Sequence, residues 1–129
     1  MSILSVSNIT DGTDTVGTGY VVNGSAKAWV NFNGTGTIAA RDSLNLSSLT
    51  DNGNGDYTVN INNNMGNANY AISANASFDG GGFSGQQNAQ PKADFTPTTG
   101  LYRVVSSNSS NAVLNDATKV YSSILGDLA

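Results

Sequence analysis

The chain has 129 residues, a net charge of −4, 38% hydrophobic residues and only 11% charged ones. That length fits one domain, or one domain with a tail. The cations Lys27, Arg41, Lys92, Arg103 and Lys119 are scattered and form no basic stripe, which argues against nucleic-acid binding and against an anionic lipid surface.

Residues 2–25 are rich in Ser, Thr, Gly and Asp and carry two apolar pieces, "ILSVSNI" and "GYVVNG". They read as a docking arm or as an edge strand in need of a partner, with a partly disordered start as the plain alternative. The first residues have no cationic leader and no long apolar run, so neither a signal peptide nor a membrane insertion is expected. From Ala26 the pattern becomes regular. In "AKAWVNF", Lys27, Trp29, Asn31 and Asn33 share one face while Ala28, Val30 and Phe32 share the other. An Asn33-Gly34 turn leads to "TGTIAARD", and "SLNLSSLT" follows with Leu44 and Leu46. After the turn "DNGNG", "DYTVNIN" places Tyr57, Val59 and Ile61 on one face, and "NYAISANASF" repeats the period.

Residues 79–98 hold both prolines and the densest glycines, and read as a long loop with a short strand at 93–96. "GLYRVVSSN" is a strand, with Leu101, Arg103 and Val105 opposite Tyr102 and Val104. The end, "ATKVYSSILGDLA", suits a short helix or a strand equally well. Asn is the commonest residue and Glu is absent, so turn and strand formers dominate over helix formers. The expected fold is an all-β antiparallel sandwich, jelly-roll-like, over residues 26–129, with an arm over 1–25. With 4 Phe, 5 Tyr and 1 Trp its core is thin, and such domains often gain burial by oligomerising.

The reactive groups are few. Histidine and cysteine are absent, which removes catalytic triads, imidazole or thiolate metal ligands and disulfides. No cofactor, metal or catalytic residue is expected, and the chain does not read as an enzyme. Two Asp carboxyls suffice for glycoside hydrolysis, but Asp42, Asp51, Asp56, Asp79, Asp94 and Asp116 fall almost entirely in expected turns. "DNGNGD", residues 51–56, has the oxygen-rich start of a calcium loop, but Asn62 stands where an EF-hand needs its last carboxylate, so a hairpin turn is preferred. Asn-X-Ser/Thr triplets at Asn33, Asn45 and Asn75 carry no weight without a secretory signal. Trp29, Tyr102 and Tyr121 remain as exposed aromatics. They suit stacking on sugar rings or anchoring a subunit contact, and the subunit contact is preferred.

The run from Ala26 to Ile61 resembles a module of small structural, fibre and appendage proteins of tailed phages, particularly those of cyanobacteria and other aquatic bacteria. Carrying the resemblance are Lys27 to Phe32, Gly34 to Gly36, Arg41-Asp42 and Gly55 to Val59. Asn67 to Ala74 and Asn115 to Leu128 match more loosely, and Gly66 stands after Met65 where the family often has proline. The resemblance implies a trimeric all-β structural module on the virion, made in the bacterial host cytoplasm, and favours a strand over 118–125. It also implies partners: copies of itself, capsid or tail proteins, and a host-surface glycan in host attachment. Ile3, Leu4, Val6 and Ile9 would make the virion attachment. The arm is too short for a fibre shaft, so a capsid decoration or cement protein stands beside the tail-fibre reading. A stand-alone carbohydrate-binding module is the alternative, and a small glycan hydrolase comes last.

Overall fold

The computed structural model describes residues 2–77, 87–108 and 111–129. Its first elements are a small hairpin, β1 (Asn8–Thr10) with β2 (Thr15–Gly17), and a helix, α1 (Thr18–Gly24). Asp11 closes the hairpin tip, its Oδ1 accepting the Thr13 and Asp14 amides at 2.9 Å each. Those amides hold its carboxyl below the usual carboxylate range. "GYVVNG" is therefore largely helical, not an edge strand. Two glycines and two valines make this a poor helix by propensity. Its start is tied down by the Thr18 amide bonding the Ser7 carbonyl at 2.9 Å.

Eight strands then build two four-stranded antiparallel sheets. They are β3 (Ala26–Asn33), β4 (Ala39–Leu44), β5 (Leu46–Gly53), β6 (Asp56–Ile61), β7 (Ala71–Ser77), β8 (Gln87–Pro91), β9 (Leu101–Asn108) and β10 (Lys119–Leu125). One sheet has the order β4-β3-β10-β7 and the other β5-β6-β9-β8. The all-β sandwich expected from the alternation is what forms. The winding differs from a jelly roll, because β3–β4, β5–β6 and β8–β9 each pair as neighbours within one sheet.

The inner faces come from the central strands. Ala28, Val30 and Phe32 of β3, with Val120 and Ile124 of β10, meet Tyr57, Val59 and Ile61 of β6 and Tyr102 and Val104 of β9. Tyrosines supply bulk that the sparse aliphatics do not. Phe32 packs edge-on against Tyr57 at 5.1 Å between ring centres, and Tyr70 against Tyr102 at 6.3 Å. Each buried phenol finds an oxygen. The Tyr57 hydroxyl lies 3.0 Å from the Gly34 carbonyl and 3.1 Å from Asp116 Oδ1, and Tyr70 donates to the Thr98 carbonyl at 2.8 Å.

At one edge the chain crosses between the sheets through a single residue. Asn45 separates β4 from β5 and takes a left-handed conformation, φ 56°. Its Nδ2 donates to the Lys27 carbonyl of one sheet at 3.1 Å and to the Asn63 carbonyl beyond β6 at 3.0 Å, while its Oδ1 accepts the Asn63 amide at 2.6 Å. At the other edge β7 and β8 lie side by side.

Two local expectations are revised. The Asn33-Gly34 hairpin has a five-residue connection, 34–38, because Gly34 is drawn inward with its amide on the Ala117 carbonyl at 2.9 Å. The strand expected at 93–96 is absent. Pro91 ends β8 and the Phe95 amide turns back to the Lys92 carbonyl at 3.2 Å, so the strand of this region lies at 87–91. The 79–86 part of the expected loop, with Asp79, lies outside the described residues, as does Phe78. The C-terminal segment is strand β10, paired on both sides.

Candidate functional site

The outer face of the β4-β3-β10-β7 sheet carries the aromatics left over from the core. Register puts Trp29 of β3 opposite Ser123 of β10, and Asn31 opposite Tyr121. Tyr121 in turn faces Asn75 of β7, and Ser123 faces Ser73. Trp29 and Tyr121 are thus diagonal neighbours, with attachment points roughly 7 Å apart. Side chains of Trp29, Asn31, Ser73, Asn75, Tyr121 and Ser123 border an open groove of about 340 Å³. Trp29 is half-buried and Tyr121 is 39% exposed. Leu44, opposite Trp29 on β4 and 48% exposed, extends the apolar side.

Trp29 and Tyr121 therefore share a face, but Tyr102 does not join them. It is fully buried between the sheets, 2.9 Å from the Ser122 hydroxyl. The alternation of β9 that sends Val104 inward sends Tyr102 with it, and burial pushes its phenol up to about 12. The sequence reading also missed Asn75, Ser73 and Ser123. Their signal was present in the polar alternate positions of "AISANAS" and "KVYSSIL".

The second surface is the arm. Ile3 and Leu4 are 84% and 83% exposed, and Val6, Ile9, Val16, Tyr20, Val21 and Val22 are exposed as well. Ile3, Leu4, Val6, Ile9, Val21 and Val22 converge with two polar neighbours around an open cavity of about 370 Å³. No residue of α1 is buried. The four residues expected to make an attachment are thus grouped, with helix residues that the sequence reading did not single out.

Two other polar clusters resolve as structural. Asp56 is gripped by Arg103, with Nη2 at 2.6 Å and Nε at 3.1 Å, and by Lys92 Nζ at 3.4 Å. Lys92 also meets Asp94 at 3.0 Å, and that contact holds the Asp94 carboxyl low. Phe95 lies under the Arg103 guanidinium at 5.4 Å. The network fastens the 92–95 turn onto the sheet.

Several side-chain oxygens of "DNGNGD" are likewise engaged by neighbouring groups. Asp51 Oδ1 accepts the Gly53 amide at 2.9 Å, and Asn54 bonds the Leu114 carbonyl and the Asp116 amide. The stretch is the β5–β6 hairpin turn, the reading preferred over a calcium loop. Gly55 is required there. Its φ is +64°, and a Cβ would strike the Ser106 carbonyl and the Asn115 backbone. Among the described residues no cluster of three metal-binding side chains forms.

The fold and surfaces define an all-β sandwich with an aromatic, amide-lined face and an apolar arm. Comparison with known proteins finds no matching family model, curated protein or solved structure.

Proposed function

We propose that the chain is a structural module of a tailed-bacteriophage virion, a homotrimer held by residues 2–25 to capsid or tail proteins with its sandwich displayed outward. One observation carries this reading: eight large apolar side chains between Ile3 and Val22 stand exposed beside a sandwich that buries its own core. Burying such a side chain fully contributes roughly 1.5–3 kcal/mol, so docking the arm would supply ample free energy for a lasting attachment. The arm contains Asp11 and Asp14 but no Lys or Arg. Its docking would therefore be apolar, and little weakened by salt. The resemblance of Lys27–Phe32 and Gly55–Val59 to phage modules supplies the particle and the trimer. Fibre-type appendage and capsid decoration both use the arm in this way.

The test pairs light scattering with deletion of residues 2–25. The full chain is expected at three chain masses and to bind arm-free particles. The deleted chain should keep its β circular dichroism and its assembly mass of three chains, and lose particle binding. A full-length monomer that binds no particle would remove this reading. A second reading, a glycan-binding module, is favoured by the Trp29–Tyr121 groove and concerns a different surface.

A further inference from the structure

We infer that the groove between Trp29 and Tyr121 is a binding site for a neutral oligosaccharide. This inference is independent of what holds the arm. Four observations converge on that ligand class.

The groove combines an indole and a phenol at diagonal register positions, flanked by Asn31, Asn75, Ser73 and Ser123. Aromatic faces pack against the C–H faces of a pyranose, while amide and hydroxyl groups exchange hydrogen bonds with its hydroxyls. The chemistry matches a polyol.

Those polar groups are also free to act. Among the described residues, Ser73, Asn75, Tyr121 and Ser123 make no side-chain hydrogen bond, whereas the neighbouring Asn31 receives Arg41 Nη1 at 3.4 Å. The buried phenols of Tyr57, Tyr70 and Tyr102 are all partnered, so Tyr121 stands apart from them.

Charge and size narrow the ligand further. No charged residue borders the groove. Arg41 beside it is engaged by Asn31 Oδ1 and the Thr118 carbonyl, and an uncharged sugar needs no counter-ion. The volume, about 340 Å³, lies at the lower end of small-ligand sites.

Finally, the floor is well supported. Val30 and Ser122 beneath it are buried, and β3 and β10 are paired on both sides, so the backbone that carries the rings is set before a ligand arrives.

Trp29 is the chain's only tryptophan, so its fluorescence reports on this groove without interference. The experiment titrates the full-length protein with maltohexaose, cellohexaose, chitohexaose and mannohexaose. At least one should shift the emission saturably. Tyr121→Ala and Asn75→Ala, both at exposed positions, should each weaken that binding by about tenfold while leaving the circular dichroism unchanged, and Tyr121→Phe should retain it. Two results would overturn the inference. One is no saturable change with any of the four sugars up to about 10 mM, the weak end of measurable affinity. The other is a groove filled by a second copy: Trp29 shielded from acrylamide in the parent, with Tyr121→Ala both exposing it and lowering the mass seen by light scattering.

Discussion

The Tyr102 hydroxyl of β9 lies 2.9 Å from the Ser122 hydroxyl of β10, inside the sandwich and across its two sheets. Both residues are buried, at 0% and 5% exposure, so neither oxygen can turn to water if the other is lost. Tyr102→Phe and Ser122→Ala should each cost about 1–2 kcal/mol, since each strands a buried hydroxyl. The double variant should cost clearly less than the sum, because the second change removes the stranded group. Urea unfolding of the four proteins measures this. Strict additivity would mean that the two hydroxyls do not act on each other.

Asn45 offers the next test. Replacing it with alanine keeps the unfavourable left-handed backbone and deletes three hydrogen bonds that join the sheets. The expected loss is about 2–4 kcal/mol. Asn45→Gly removes the same bonds but tolerates the backbone, and should recover about 1 kcal/mol of that loss. Equal melting temperatures for the two variants would show that backbone conformation contributes nothing at this corner.

Alkaline stability follows from the buried phenols. Burial pushes Tyr57, Tyr70 and Tyr102 up to about 12 from an ordinary value of 10.0. Their folded values lie above the unfolded ones, so their contribution is fully present below pH 10 and is lost as pH rises towards 12. Within that window the native chain holds up to three protons that the unfolded chain has released. The slope should approach about −1.4 kcal/mol per pH unit for each phenol. The share of the 295 nm absorbance that comes from these three phenols and the β circular dichroism should therefore change together. Full tyrosinate absorbance with the sheet signal intact would contradict this.

The Asp56 network predicts an asymmetry. Asp56→Asn leaves Arg103 without its two-pronged partner and should cost roughly 2–3 kcal/mol, as breaking a largely buried pair does. Lys92→Ala removes the longer 3.4 Å contact with Asp56 and the contact with the exposed Asp94, and should cost clearly less. Chemical denaturation separates the two. A larger loss at Lys92 would mean that the 92–95 turn depends on its lysine for more than charge.

Strand alternation was the legible part of this chain. Ala28, Val30 and Phe32 against Lys27, Trp29 and Asn31 can be read directly, and so can Tyr57, Val59 and Ile61. The side taken by Tyr102 was also readable, since it alternates with Arg103, but its hydroxyl suggested solvent. Its partner, Ser122, comes from a distant strand whose register no local pattern reveals. Asn45 was hidden for a similar reason. It looked like one more asparagine in a chain full of them, and only the crossing between sheets sets it apart. The helix at Thr18–Gly24 runs against propensity, so local sequence had little to announce it. Of the candidate face, the Trp29 side followed from one strand, whereas Ser73, Asn75 and Ser123 required knowing that β10 lies between β3 and β7.

The pairing of Leu125 with Ala26 gives the sandwich a near pole and a far pole. The arm joins at the near pole, where β10 finishes and the Asn45 corner lies. The loops 34–38, Asn54-Gly55 and 111–118 all gather at the far one. A peptide spliced in at Gly36, whose surroundings are open, would hang at the pole opposite the arm's junction, while a tag fused to Ala129 would lie at the arm's own pole. Display cargo therefore belongs in the β3–β4 loop.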